Sequence, residues 1–516
     1  MNKTAKGLIA LSGVLVLLGG GYAALRLTED KGGEIEPTSA SEVSEDGKEV
    51  IIISDTAPEG PDQGPQQNIE YGVVKTVDVK NQSGELHVVQ KSKGSTESGS
   101  TYTTYTLDGY QDVAMDDSVI GTLANNANEL TSIDVVDENC TDLAKFGLDD
   151  PRITAEIKFE SGKFYRMFIG DEAPAGDASY VMIDSINTVY TVRNSALANY
   201  SKTERDFVDT TVLASPDELP VVKTLKIERG DIDYDIVIKY DEKADDSSYT
   251  GGTSSSHVLV EPTTAYLAVE RSTDITTGMF GLSAKGIYSV HCTDADIAEA
   301  GLKDPFCKVT MSCDDGNEYT LLLSEQFTDS EYGKCYYGML EGGNVIFIIS
   351  EENAQWATVM PVDIASKIFI ASYVWNISDL SVECSSGEKA EFKLAKKDPN
   401  EKKDSYKAED INTTKNGETF DSERFRQFYG FLISGNAESF ALGEEIPAAA
   451  PMAKLTYTDS YTNETTTLEF YEKSAMSALI VVDGEAKFNV TKSFVETLIH
   501  NVQILDTDEE FKTTWK

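Results

Sequence analysis

The sequence predicts an α+β chain of about three tandem units, each an antiparallel sheet of β-hairpins with short covering helices, after an N-terminal transmembrane helix and a disordered acidic linker. Three observations carry this expectation. A short motif recurs at a constant offset, apolar residues alternate in runs of strand length, and one charge-free segment stands near the N-terminus.

Asp142 to Pro151 reads DLAKFGLDDP and Asp296 to Pro305 reads DIAEAGLKDP. The same offset aligns ITAEIKFESGKFYRMFI, from Ile153, with CKVTMSCDDGNEYTLLL, from Cys307, and lays Gly162 on Gly316. Upstream, VVKTVDV from Val73 matches VVKTLKI from Val221. A fainter third copy shows as ISDLSVECSSGEKAEFKL from Ile377 and MAKLTYTDSYTNETTTLEFY from Met452, without a GLxDP. Self-similarity at a long fixed period marks a unit repeated in tandem, and 516 residues exceed what one core organises. The units read as residues 71–213, 214–370 and 371–516.

Within a unit, Ile153, Ala155, Ile157 and Phe159 alternate with Thr154, Glu156 and Lys158, and Ser161-Gly162 returns the chain, which makes a hairpin. The same inward positions of the second unit are Cys307, Val309, Met311 and Cys313, so these cysteines read as core residues, with a cross-strand disulfide involving Cys335 as the alternative. Val119, Ile120, Leu123, Ala127 and Leu130 follow Asp116 and Asp117 at helical spacing. A shorter helix opens near Asp142 and stops at Gly147, where a left-handed residue ends a helix, and Pro151 then holds Asp150 extended. Paired strands follow at 180–183 and 188–192, at 337–340 and 345–349, and at 479–482 and 487–490, each pair leading into a short helix.

Gly7 to Leu25 reads GLIALSGVLVLLGGGYAAL, and its nineteen residues span about 28 Å as a helix, close to the hydrocarbon thickness. Lys3 and Lys6 precede it and an acidic tract follows, so residues 1–27 read as a cytoplasmic tip and membrane anchor with the bulk of the chain extracytoplasmic. Gly21, Ala23 and Ala24 leave open a cleaved signal peptide and a secreted product. Residues 28–70 read as a disordered acidic tether.

With 88 acidic residues against 44 basic ones, the formal charge of -44 repels polyanions and excludes nucleic acid as a partner. His87, His257, His291 and His500 are dispersed, and the six cysteines lack zinc-ligand spacing. No P-loop, GxSxG or HExxH occurs, so no catalytic residue, cofactor site or metal site is expected, nor enzymatic activity. Asp314-Asp315-Gly316-Asn317-Glu318 has the composition of a calcium loop but falls at a hairpin tip.

Four stretches of the first unit, the GLDDP of Gly147 to Pro151, the IGDEAPAG of Ile169 to Gly176, Tyr180 to Met182, and the VYTV of Val189 to Val192, together resemble the bacterial family catalogued as domain of unknown function 4340. The second unit keeps GLKDP but has SEQFTDSE in place of GDEAPAGD. The resemblance implies an exported or single-pass envelope protein without established activity, encoded in many cases beside ABC transporters of the gliding-motility type. An accessory or docking subunit of such a transporter is the function it points to. Gly147, Leu148, Asp150 and Pro151, with Gly301, Leu302, Asp304 and Pro305, form the structural repeat motif, and Asp171, Glu172 and Asp177 form the candidate interaction loop. Tandem Tyr- and Thr-rich β units suit a second function, a surface module binding glycan, peptide or cell-wall polymer. A third is a hydrolase with paired carboxylates such as Asp150 and Asp171.

Overall fold

Strand Ile153–Phe159 buries Ile153, Ala155, Ile157 and Phe159 and turns the residues between them outward, the two-residue period of a pleated strand with one covered face. The computed structural model describes residues 49–57, 70–96, 101–184, 186–242, 255–400 and 405–515; the expected anchor Gly7 to Leu25 and most of the expected tether lie outside them.

Three large antiparallel sheets share one strand order. The chain first forms β1 (Ile51–Ser54), then β2 (Val74–Asn81), β3 (Gly84–Ser95), β4 (Thr101–Leu107), β5 (Glu129–Thr131), β6 (Asp134–Asp137), β7 (Ile153–Phe159), β8 (Phe164–Glu172), β9 (Ala178–Ile183) and β10 (Val189–Arg193). The first large sheet runs β4-β3-β2-β7-β8-β9-β10-β6. Next come β11 (Val222–Arg229), β12 (Ile236–Tyr240), β13 (His257–Glu261), β14 (Ala265–Tyr266), β15 (Gly286–Val290), β16 (Cys307–Cys313), β17 (Glu318–Leu323), β18 (Phe327–Asp329), β19 (Gly333–Leu340) and β20 (Val345–Ser350). They order as β14-β13-β12-β11-β16-β17-β19-β20-β15, with β18 on β19. Last are β21 (Ile377–Cys384), β22 (Lys389–Lys396), β23 (Ile411–Lys415), β24 (Glu418–Phe420), β25 (Ser439–Phe440), β26 (Ala453–Asp459), β27 (Glu464–Glu472), β28 (Ser477–Val482) and β29 (Glu485–Thr491), ordered β24-β23-β22-β21-β26-β27-β28-β29-β25.

Register repeats with the order. Val77 lies between Val88 and Ile157, Leu225 between Ile238 and Met311, and Leu380 between Phe392 and Tyr457. Each central pair also carries a register shift at the same point, between Val74 and Thr76, Val222 and Thr224, and Ile377 and Asp379. An irregularity kept at one position in three sheets is a feature of the framework, since a bulge bends and twists the strand that holds it.

The described residues group into two compact units, one running to Thr103 and resuming over Thr122–Ser201, the other comprising Thr104–Gly121 and the chain from Lys202. The second and third sheets both belong to the latter, because one apolar cluster runs from Leu225 and Met311 through Trp356 and Phe369 to Phe392 and Phe494. Helix Ser422–Ser434 contributes Phe425, Phe428, Tyr429 and Leu432 at helical spacing, and the Asp421 side chain caps its start by accepting the Glu423 N–H. Helix Lys492–Gln503 adds Phe494, Val495, Leu498 and Val502.

Part of the expected tether is structured. The β-branched run Ile51–Ile53 forms β1 and pairs with β5, burying Ile52 and Ile53, and the Asp55 carboxylate accepts bonds from the Gly72 N–H (3.0 Å) and the Ser161 hydroxyl (2.7 Å). The same short pairing precedes the other sheets as the bridges Thr211 to Ser283 and Ile368 to Asn436. Each lies upstream of the start expected for its unit, at 71, 214 and 371.

Cys307, Val309, Met311 and Cys313 all face the core, as their spacing predicts, and all six cysteines are free, so the alternative disulfide through Cys335 is not formed. Burial pushes the Cys307 thiol up to about 12 and those of Cys313 and Cys384 to about 11. Among the described residues no helix is long and apolar enough to cross a membrane.

Candidate functional site

The repeat motif and the acidic loop of the first sheet meet in one corner. A 3₁₀ turn, Leu143–Phe146, ends at Gly147, whose φ of 65° is left-handed. The turn lays Phe146 and Leu148 on the outer face of the sheet with Cys140 and Val189. The Asp171 side chain packs over Gly147, where a Cβ would sit 2.6 Å from Asp171 Cγ. The neighbouring Gly170 is more tightly confined, since a Cβ there would lie 2.2 Å from the Phe146 carbonyl oxygen, which is backbone. GLDDP and IGDEAPAG are thus two sides of one contact.

A polar chain closes the loop. Arg152 Nη2 donates to Ser179 Oγ (2.5 Å), the fully buried Ser179 hydroxyl donates to Asn194 Oδ1 (2.6 Å), and Asn194 Nδ2 donates to the Gly176 carbonyl (3.2 Å). The Asn194 N–H is bonded to the Asp177 carbonyl, and Glu172 lies 3.8 Å from Arg152 Nη1. Asp150, Asp171, Glu172 and Asp177 are exposed at the rim. Among the described residues no group of three His, Cys, Asp or Glu is arranged to hold a metal ion.

The second and third sheets fasten this corner differently. Gly301 is again left-handed (φ 71°), and Ala300 and Leu302 pack on Met339 and Ile346. There a Cβ would meet only Ser324 Cβ at 3.7 Å, an ordinary contact. Gln326, in the place of Glu172, donates to Tyr336 and to Glu351 (both 3.0 Å), and Lys334 pairs with Glu351. In the third sheet no helix separates β25 from β26, so GLxDP has no turn to end, and Tyr471, in the place of Asp171, packs with Ala441, Leu479 and Val481. Glu472 pairs with Lys492 at 2.6 Å. One location held by three unrelated side-chain sets serves as a fastener of the fold. The calcium-like stretch is a turn, with the Asp314 carboxylate accepting the Val221 N–H and Asp315 accepting the Asn317 N–H.

Residues 106–265 match the family model of a domain of unknown function, DUF4340. Neither a curated protein nor a solved structure matches the chain. The DUF4340 match contains the fastener of the first sheet and continues into the second sheet as far as Ala265, so its ends fall between the starts of the sheets.

Outside the DUF4340 match, in the unit that holds the third sheet, lies a groove of about 400 Å³ between the segment Ile368 to Trp375 and helix Ser422–Ser434. The Tyr373 and Trp375 rings stack at 4.2 Å with 18° between their planes, and the Tyr406 ring lies 6.4 Å from Trp375. Tyr429 is buried beneath, donates its hydroxyl to the Ser372 carbonyl (2.7 Å), and has its phenol pKa raised well above the ordinary value by burial. Arg426 and the exposed Ile433 complete the wall. Sequence reasoning passed over these residues. The available signal was a tryptophan, one of three in the chain, two residues after a tyrosine in a segment preceding a strand.

Proposed function

We propose that the chain is a membrane-tethered, extracytoplasmic binding protein: three copies of one sheet unit, of which the third supplies a binding groove, with no catalytic chemistry of its own. The observation that carries this reading is the groove, whose wall combines a partly exposed stack of two aromatic rings with a guanidinium. Concave, largely apolar surfaces with a few placed polar groups are where ligands bind. The common strand order and the shared register shifts support tandem copies, each opening with the short strand upstream of its sheet. The charge-free segment Gly7 to Leu25, after Lys3 and Lys6, supports the tether. The full chain incubated with purified cell-wall polymer should sediment with it; a chain left wholly in the supernatant contradicts the reading.

Docking onto an ABC-type transporter is a second reading, favoured by the DUF4340 match together with the transporter context implied by that family. Here the tagged full chain, isolated in mild detergent, should bring permease subunits with it, and recovery of the chain alone across several detergents removes the reading.

A further inference from the structure

We infer that the groove beside Trp375 holds a sugar chain bearing acidic groups, a pyranose ring lying against the outer side of the Tyr373–Trp375 stack and its carboxylate or phosphate meeting Arg426. The inference rests on the binding reading above and names the ligand class. Tyr373 and Trp375 stack face to face and are partly exposed, so their inner faces cover each other and an outer face of the stack is what remains for the C–H face of a sugar. Arg426 has a neighbouring carboxylate in Glu423, but at 3.9 Å that ion pair is longer than a hydrogen bond. A guanidinium carries five N–H donors in a planar fork that matches an oxyanion.

Among the described residues, the one charged side chain that lines the groove is basic, Arg426. The chain as a whole carries a formal charge of -44. Lys396 Nζ stands 4.3 Å from the centre of the Tyr406 ring, and that ring is the neighbour of Trp375. Arg426 in the wall and Lys396 at Tyr406 give an anion two basic groups near this groove on a protein whose overall charge disfavours it elsewhere.

Gly430 adds an independent observation. It sits inside helix Ser422–Ser434, where glycine is the least favourable residue after proline, and a Cβ built on it meets nothing within 4 Å. Packing therefore does not demand glycine at this position. Its missing side chain keeps the helix side of the groove flat and open.

The test uses the full chain on an array of uronate-bearing, phosphorylated and neutral oligosaccharides, with poly-glutamate and anionic phospholipid vesicles alongside. Acidic oligosaccharides should be retained over neutral ones of the same length. Trp375→Ala should weaken retention on the order of tenfold or more, as for an aromatic anchor at the centre of a contact. Gly430→Leu, which fills the groove from a helix position with open space, should do the same without lowering the melting temperature. Arg426→Gln should abolish the preference for acidic over neutral sugars. The inference is overturned if no acidic oligosaccharide is retained, if Gly430→Leu binds as the parent does, or if poly-glutamate or the vesicles bind in preference through the same residues. Cell-wall retention that survives all three substitutions also sinks this assignment of the groove while leaving the binding reading in place.

Discussion

Asp171 lies directly over Gly147, so close that a Cβ on the glycine would stand 2.6 Å from the aspartate Cγ. Gly147 also holds a φ of 65°. Gly147→Ala therefore meets two obstacles, the left-handed backbone and the carboxylate, and should cost about 2–3 kcal/mol in urea unfolding. Gly301→Ala meets only the backbone obstacle, because its nearest neighbour, Ser324 Cβ, is 3.7 Å away, and should cost about 1–2 kcal/mol. Placing Gly147→Ala in an Asp171→Ala background should bring its cost down to the Gly301 value. Equal costs for Gly147→Ala in both backgrounds would show that the crowding is not felt.

Ser179 relays one hydrogen bond from Arg152 to Asn194 in a fully buried position. Ser179→Ala leaves both neighbours short of a partner and should destabilise the first unit by about 1–3 kcal/mol. Alanine occupies the corresponding place in the third sheet, Ala478, where the fastener is the Glu472–Lys492 pair. An unchanged urea midpoint for Ser179→Ala would mean that the relay contributes nothing.

His257 is buried, with Nε2 donating to the Val222 carbonyl (2.8 Å) and Nδ1 facing the Ser256 hydroxyl (3.1 Å). Desolvation lowers its pKa below the ordinary value, against the smaller opposing effect of the Val222 bond. The unfolded chain then binds this proton first, so stability is fully present above about pH 6.5 and is lost as the pH falls through that value toward the folded pKa. Carboxylates such as Asp116 and Asp231, whose pKa values are lowered, act only in a more acidic range. The urea midpoint measured from pH 7.5 to 5 should fall for the parent and fall less for His257→Gln; parallel slopes would remove His257 as the cause.

Thiol labelling reports the same burial. Cys307, Cys313 and Cys384 combine raised thiol pKa values with buried side chains, whereas Cys292 is only partly covered. Under native conditions a maleimide should modify Cys292 first and reach the other five only on unfolding. Early modification of Cys307 would contradict its place in the core.

The sequence announced the hairpins because a half-buried strand writes its two-residue period into the chain, as Ile153 to Phe159 does, and it announced Gly147 because a left-handed helix end wants glycine. It concealed the pairing of β2 with β7, which joins residues about eighty apart and leaves no local mark. It also hid β1, whose four residues lie in an acidic stretch with tether-like composition. The acidic loop stood out for its charge, yet Asp171 is set by the glycine beneath it and Glu172 by Arg152, contacts made only after folding. The groove was illegible for the same reason, since Trp375 and Arg426 come together across fifty residues of chain.

Amide hydrogen exchange of the full chain tests most directly whether one framework is built three times. Each sheet should show the same gradient, slowest in its central pair, β2 with β7, β11 with β16 and β21 with β26, and fastest at its outer strands. The third sheet should follow it despite lacking GLxDP, because its centre has the same order and register shift as the others. Rapid exchange throughout β21 and β26, with the first two sheets protected, would contradict the account.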